Sequence, residues 1–463
     1  MSDVERLEAR LGGEREGSTS TVKRVALAAF VGSTVEWYDF FLYGTAAALV
    51  FGDLFFPDAN PTVGTLAAFA TFGVGFLFRP LGGAFFGHFG DRVGRKAMLV
   101  ITLLMMGSAT VAIGLLPTYK DVGLLAPILL VLLRAIQGFS VGGEWAGGSL
   151  MTVEYAPPER RGFYGAWPQV GPSAGSLLAT GAFALFNTLP EDQFNAWGWR
   201  VPFLLSSVVV IVGLLIRMRL AESPVFKEAK KQDVPTEKPF VTAFRDHKRP
   251  IFLIMGMRLA INTTFYVATV FALSYGDDQL GIPKGQLLAG VLITSALGFV
   301  TKPIYGHISD SIGRRPIYGL GSLTGALFAF PFFLMLESKA FALILLGMFL
   351  VINISHDLND AIESSFFCES FDTEVRYTGA AMGHQLGGAI TGFTPLIAGA
   401  LSAAAGNAWW PVAAYMVVAC LISAACVYAS RETLARKLLP TTEPDRSAPR
   451  TGTPMRPRQA VGS

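Results

Sequence analysis

Glu36 and Asp39 stand one helical turn apart in VEWYDFFLYG, a stretch that is otherwise aromatic and apolar. At about 100° per residue they share a helix face with Gly32 and Tyr43. Two carboxylates so close cannot both ionise cheaply in a low dielectric, so one is expected to hold a proton near neutral pH. That suits a carrier of protons. A second apolar stretch places Arg134, Gln137 and Glu144 on one face, and an arginine there can pair with Asp39 or Glu36. The ionised acid would clamp it and the protonated acid release it. A third stretch offers Arg258, Asn262 and Tyr266 at intervals of four. The planar guanidinium binds both oxygens of a carboxylate at once. The most polar stretch carries Asn353, His356, Asp357, Asp360 and Ser364 within about 100° of a helical wheel. His356 beside Asp357 can titrate as a coupled pair. Gln169, His384 and Gln385 add single polar positions in apolar surroundings.

The elements that must position these groups are greasy. Of 463 residues, 52% are hydrophobic and 15% charged, against about 25% charged in a soluble domain. A bilayer-crossing helix needs about 20 mostly apolar residues. Twelve such spans are expected, at about 24–50, 62–89, 97–117, 122–154, 161–188, 198–219, 249–275, 285–309, 316–336, 340–370, 377–404 and 408–430. The fold class is therefore an all-α membrane protein with twelve transmembrane helices in two six-helix bundles. Its expected divisions are a tail, 1–23; a first bundle, 24–219; a charged linker, 220–248; a second bundle, 249–430; and a disordered tail, 431–463. An ionisable residue inside a span costs about 2.5–3.5 kcal/mol on insertion scales, which makes each one a functional candidate. Plainer readings compete. Glu36 and Asp39 would suit the watery edge of a membrane, beside Trp37 and Tyr38. Arg134 would suit a structural ion pair. Arg258, early in its span, would also suit snorkelling to the surface. Arg79 before Pro80 and Lys302 before Pro303 hold matching places and read as gating or packing residues near the loops.

Lysine and arginine concentrate in one set of loops, which holds DRVGRK, PPERR, the KEAKK linker, SIGRR and Arg376. The other set has only Lys120, Lys284 and Lys339. The basic set is expected in the cytoplasm, and both termini with it. Two of the basic loops are near copies, GHFGDRVGRK at 87–96 and GHISDSIGRR at 306–315. Each follows the second span of a six-span half, the pattern of parallel repeats. Glycines there allow tight turns and close helix approach. The aspartate can accept from an arginine or a neighbouring helix N-terminus. The pair reads as a clasp that holds one end of the molecule shut and then releases it.

Twelve spans with this loop resemble the major facilitator superfamily. Gly87, Asp91, Arg92, Gly94, Arg95 and Lys96 match its loop motif position by position, and Gly306, Asp310, Gly313, Arg314 and Arg315 repeat it with Ser311 in place of an arginine. VEWYDFFLYG (35–44), the blocks 64–96 and 126–148, and WGWRVPF (197–203) resemble the metabolite:proton symporter family, whose members carry proline and betaine, α-ketoglutarate, citrate or shikimate. The blocks 64–96 and 126–148 are most similar to its shikimate carriers. The stretch NISHDLNDAIESSFFCESF departs from that pattern by adding Asp360 and Glu363, and RYTGAAMGHQLGG by His384.

The resemblance implies proton-coupled uptake of a small organic acid across a bacterial cytoplasmic membrane. The alternatives are a proline or betaine symporter, a proton-driven exporter, and a membrane receptor that transports nothing. Proton coupling falls to Glu36, Asp39, Arg134 and Glu144. Cargo binding falls to Tyr43, Arg134, Gln137, Gln169, Arg258, Asn262, Tyr266, Asn353, His356, Asp357, Asp360, His384 and Gln385. No cofactor beyond the coupling proton, no metal and no nucleic-acid partner are expected, and the carrier is expected to act as a monomer. No nucleophile–base pairing or cofactor loop points to an enzyme. Cys368, Cys420 and Cys426 lack ligand spacing and read as packing residues.

Overall fold

A computed structural model describes residues 19–93, 95–142, 145–219, 245, 247–371 and 375–434. Twelve principal helices follow one another, and no strand occurs among the described residues. We label them α1 (Thr19–Leu49), α2 (Pro61–Val93), α3 (Arg95–Gly114), α4 (Leu125–Val141, resumed as Trp145–Tyr155), α5 (Arg161–Phe186) and α6 (Arg200–Arg219). The second half comprises α7 (Lys248–Asp278), α8 (Lys284–Ile312), α9 (Arg314–Glu337), α10 (Phe341–Glu369), α11 (Arg376–Ala404) and α12 (Trp410–Ala429). Eight of these are long and apolar enough to cross a membrane unaided. The apolar parts of α3 and α4 are shorter, and α6 joins the turn before it, Glu191–Gly198, at a 42° bend. Arg200 at that bend donates to the free carbonyls of Gly114 and Leu116 at the end of α3, with its guanidinium over Trp199.

The pairing of helices repeats from one half to the other. α1 packs on α5, α2 on α4 and α3 on α6; six helices later α7 packs on α11, α8 on α10 and α9 on α12. The halves meet through α5 with α8 and α10, and through α2 and α4 with α11. This is the arrangement of parallel repeats about an axis along the membrane normal. Lipid supplies no hydrophobic drive between helices, so close packing of small residues holds the bundle. A Cβ on Gly138 of α4 would lie 1.8 Å from the Gly75 carbonyl of α2. Between the halves, a Cβ on Gly162 of α5 would lie 2.3 Å from the Gly306 carbonyl of α8. Outward faces stay apolar: Leu320, Leu323, Leu327 and Leu334 form one exposed stripe along α9.

The second decapeptide closes one end of this interface. Asp310 accepts from the backbone N–H groups of Gly162 (2.7 Å) and Phe163 (2.9 Å) at the start of α5, and from Arg314 at 2.9 Å. Arg314 also reaches Glu369 of α10 at 3.2 Å, and Arg315 donates to the carbonyls of Val427 and Tyr428. Gly313 turns between α8 and α9 at φ 114°, a conformation that side chains rarely adopt. Residues 431–434 are held rather than disordered. Glu432 accepts from the N–H groups of Arg314 (2.9 Å) and Arg315 (3.0 Å), and Thr433 donates to Glu369 at 2.7 Å. The unsatisfied donors at the α9 N-terminus make that tail segment a ligand. The side chains of Gly87, Asp91, Arg92, Gly94, Arg95 and Lys96 lie outside the described residues, as does Glu144.

Candidate functional site

A cavity between the halves is lined by Trp37 and Phe41 of α1, Trp145 of α4, Gln169 of α5, and Arg258, Asn262, Phe265 and Tyr266 of α7. His356, Asp360 and Glu363 of α10 and His384 of α11 complete it. Two irregular turns adjoin its wall, one just past Tyr266 and one ending at His356. α7 widens to a π-helix over Val267–Phe271 and α10 over Leu350–His356, the kind of local bulge found at functional sites.

Arg258 is 2% exposed and pairs with Glu363 through one nitrogen, Nη1. It therefore does not snorkel. Its Nε and Nη2 are buried without a hydrogen-bond partner, as are Tyr266 Oη and both ring nitrogens of His384. His384 lies 3.4 Å from Glu363 and stacks on Trp145 with ring centroids 3.8 Å apart. Gln169 reaches across from the first half, donating to Glu363 at 2.7 Å and Asp360 at 3.3 Å. Asn262 donates to Thr391, and Gln385 to the Gly142 carbonyl of α4 at 2.8 Å.

Lys302 corrects the sequence expectation most sharply. It is buried beside Asp360 (2.7 Å) and Asp357 (3.8 Å), and donates to the Gln169 carbonyl at 2.7 Å. It belongs to the charged cluster, not to the loop. Asp357 accepts from Asn353 (2.9 Å) and Thr301, and lies 3.0 Å from His356 Nδ1. Asn353, His356, Asp357 and Asp360 are thus joined in one network through Lys302, whereas Ser364 turns to Ser149 of α4 at 3.0 Å.

In the first half a second, smaller cavity collects Glu36, Asp39, Arg79, Arg134 and Gln137. Glu36 and Asp39 are both buried, 3% and 1% exposed, so the watery-edge reading fails. Among the described residues Arg134 makes no direct ion pair with either acid, and it couples to Asp39 only at longer range. Arg134 donates to Gln137 at 3.0 Å and to the Phe72 carbonyl at 3.3 Å, and lies over the rings of Phe40 and Tyr43 at 4.4 and 4.3 Å. Aromatic faces and a neutral amide take the place of a carboxylate. Asp39 accepts instead from Ser206 of α6. Tyr43 is engaged with Thr71 at 2.7 Å and does not line the central cavity. Arg79, read from sequence as a loop-side residue, is buried over Phe40 and Phe76 at 4.7 and 4.6 Å.

Buried charged clusters inside a repeated helical bundle, one of them lining a cavity between the halves, are what a carrier needs to bind a polar cargo within a membrane. The sequence profile of the Major Facilitator Superfamily matches residues 29–392. The chain belongs to that superfamily. It is 46% identical over 411 residues to the shikimate transporter of Escherichia coli strain K12, covering 88% of this chain and 94% of that protein. It is 36% identical over 412 residues to the proline/betaine transporter of the same strain, covering 86% and 81%. Among solved structures it resembles the D-xylose-proton symporter with a TM-score of 0.68 at 18% identity, over 90% of this chain and 100% of that one. The last likeness concerns the fold. As a member of this superfamily the chain is a membrane transporter with twelve helices in two bundles. Sequence reasoning passed over Glu363 and Trp145 as cavity residues. An acidic residue within an apolar span was signal enough for the first.

Proposed function

We propose that this transporter takes up a small metabolite bearing a carboxylate, coupled to protons, by alternating access in a bacterial inner membrane. Its basic loops and termini face the cytoplasm, and no covalent chemistry is involved. One observation carries the reading. Arg258 lines a cavity shared by both halves and keeps two guanidinium donors, Nε and Nη2, without an acceptor. A cargo carboxylate supplies that acceptor in planar, bidentate geometry. Trp37, Phe41 and Phe265 offer an apolar wall, and Tyr266 and His384 offer polar atoms for hydroxyl groups. The likeness to a shikimate transporter supports a hydroxylated acid. Glu36 and Asp39, buried in the smaller cavity, are the proposed proton site of the first half.

A second reading has its own support. Asp357, Asp360 and Glu363 outnumber Lys302 and Arg258 in the central cluster, which favours a cationic group on the cargo, as in a betaine. Purified protein in vesicles with an imposed pH gradient separates the two, tested with shikimate, dicarboxylates, aromatic acids and glycine betaine. Saturable uptake of an acid, abolished by a protonophore, is the expected result. Uptake of betaine alone would establish the second reading, and uptake indifferent to the gradient would reject proton coupling.

A further inference from the structure

The central cluster contains its own mimic of a cargo carboxylate. Glu363 sits on α10 with one oxygen against Arg258 Nη1 and the other accepting from Gln169 of the opposite half. It is fully buried, and its neighbours face it from every side: Arg258 of α7, Lys302 of α8 through Asp360, Tyr318 of α9, Asp360 on its own helix and His384 of α11. Arg79 of α2 acts on His384 only electrostatically, from the first half. Tyr318 is occupied with the Met257 carbonyl at 3.0 Å, so it does not hold Glu363. Lys302 is committed to Asp360 and Asp357, which leaves Arg258 as the one cation in direct contact with Glu363 among the described residues.

We infer that Glu363 is an internal competitor of the cargo for Arg258, displaced when cargo binds and protonated as it is displaced. The inference rests on the proposed carboxylate cargo and adds the residue through which cargo and proton communicate. An ionised Glu363 without Arg258 would be a buried, unpaired charge, which costs several kcal/mol. Taking a proton from the aqueous side removes that cost. The proton bonds to a carboxylate oxygen of Glu363, and the cargo carboxylate takes its place on the guanidinium. The cluster's net charge is then unchanged. When the cargo leaves, Arg258 recaptures Glu363 and the proton departs. Gln169 is placed to sense the exchange, because it holds Glu363 and Asp360 from the other bundle. The two halves would thereby be tied through the same carboxylate.

Linkage fixes the test. Each proton taken up with the cargo makes the apparent affinity fall about tenfold per pH unit once the acceptor is ionised in the free carrier. Shikimate binding to the purified full chain in nanodiscs is followed by tryptophan fluorescence between pH 6 and 9. Proton uptake on binding is read in weak buffer with an indicator dye. Glu363→Gln is expected to reduce the slope by about tenfold per pH unit and to remove about one proton per shikimate bound, while binding at pH 9 is strengthened because the competing charge is gone. A Glu363→Gln carrier with the wild-type slope and proton count would overturn the inference and leave proton-coupled acid uptake standing. A second measurement needs no variant. The methyl ester of shikimate cannot displace Glu363 by charge, so its binding to wild type should take up about one proton fewer. An equal proton count for acid and ester would also overturn the inference. Wild type that binds no acid of the panel would remove the parent reading as well.

Discussion

Arg258 lies ten residues into α7, about 15 Å from its start. That distance, with its burial and its place in the central cavity, sets the guanidinium well inside the bundle rather than at a surface. Lys302, ten residues before the end of α8, sits at the matching depth. From sequence Arg258 stood between a cargo site and the surface, and Lys302 near the loop, because a helical wheel does not show that both meet acids of α10. The polar positions themselves were legible: Asp357, Asp360, His356 and Asn353 do form one network. The partners were not. Glu363 falls only about 20° outside the predicted stripe on an ideal wheel, and the π-turn through Leu350–His356 breaks the regular phase on which that wheel depends. Arg134 could not be paired from sequence at all, since a wheel shows faces but not which neighbour they meet. The planar fork at Arg258 gives a direct prediction. Arg258→Lys keeps the charge and loses bidentate geometry. KM for the acid cargo is expected to rise about 10–100-fold, or about 1.4–2.8 kcal/mol, with a smaller change in kcat. A KM within twofold of wild type would remove Arg258 from the cargo site.

At the scale of elements, helix number and the repeat were written in hydropathy and in the two decapeptides. The ends of helices were less so. Glu432 lies beyond the last span, in what composition marks as tail, yet its carboxylate caps the N-terminus of α9. Only three-dimensional proximity brings α12 and α9 together there. Partial burial alone would raise the Glu432 carboxyl, but the N–H groups of Arg314, Arg315, Leu434 and Thr433 outweigh it and hold it below its ordinary 4.5. The folded state thus prefers the ionised acid. Its contribution is fully present above pH 4.5 and is lost as the pH falls through the lowered value. Because the side chain is partly exposed, the contribution is about 1 kcal/mol or less. Glu432→Gln should lower the Tm by about 1–2 °C at neutral pH. The difference from wild type should persist down to pH 5 and close below that. A gap that widens on acidification would show that the cap is not held by an ionised carboxylate.

For the whole molecule, the decisive quantity is charge moved per cycle. A monoanion carried with one proton moves no net charge, so the membrane potential does no work on it. The bundle holds two candidate acid sites, Glu363 in the second half and Asp39 in the first, and they occupy separate cavities. If both load, two protons accompany each anion and one positive charge crosses. A potential of about 100 mV then contributes about 2.3 kcal/mol, or about fifty-fold in accumulation. Wild-type vesicles with a potassium-diffusion potential, negative inside, should accumulate the acid about fifty-fold more than vesicles at zero potential and the same pH gradient. Asp39→Asn should abolish that gain while cargo exchange continues, because the second half still binds. The fold makes this separation possible: α1 and α6 hold Asp39, whereas α7 and α10 hold Arg258 and Glu363. In the proposed cycle, rocking of the two bundles against each other joins the sites. Uptake that ignores the potential in wild type would confine coupling to a single proton, and Glu363 would then have to carry it alone.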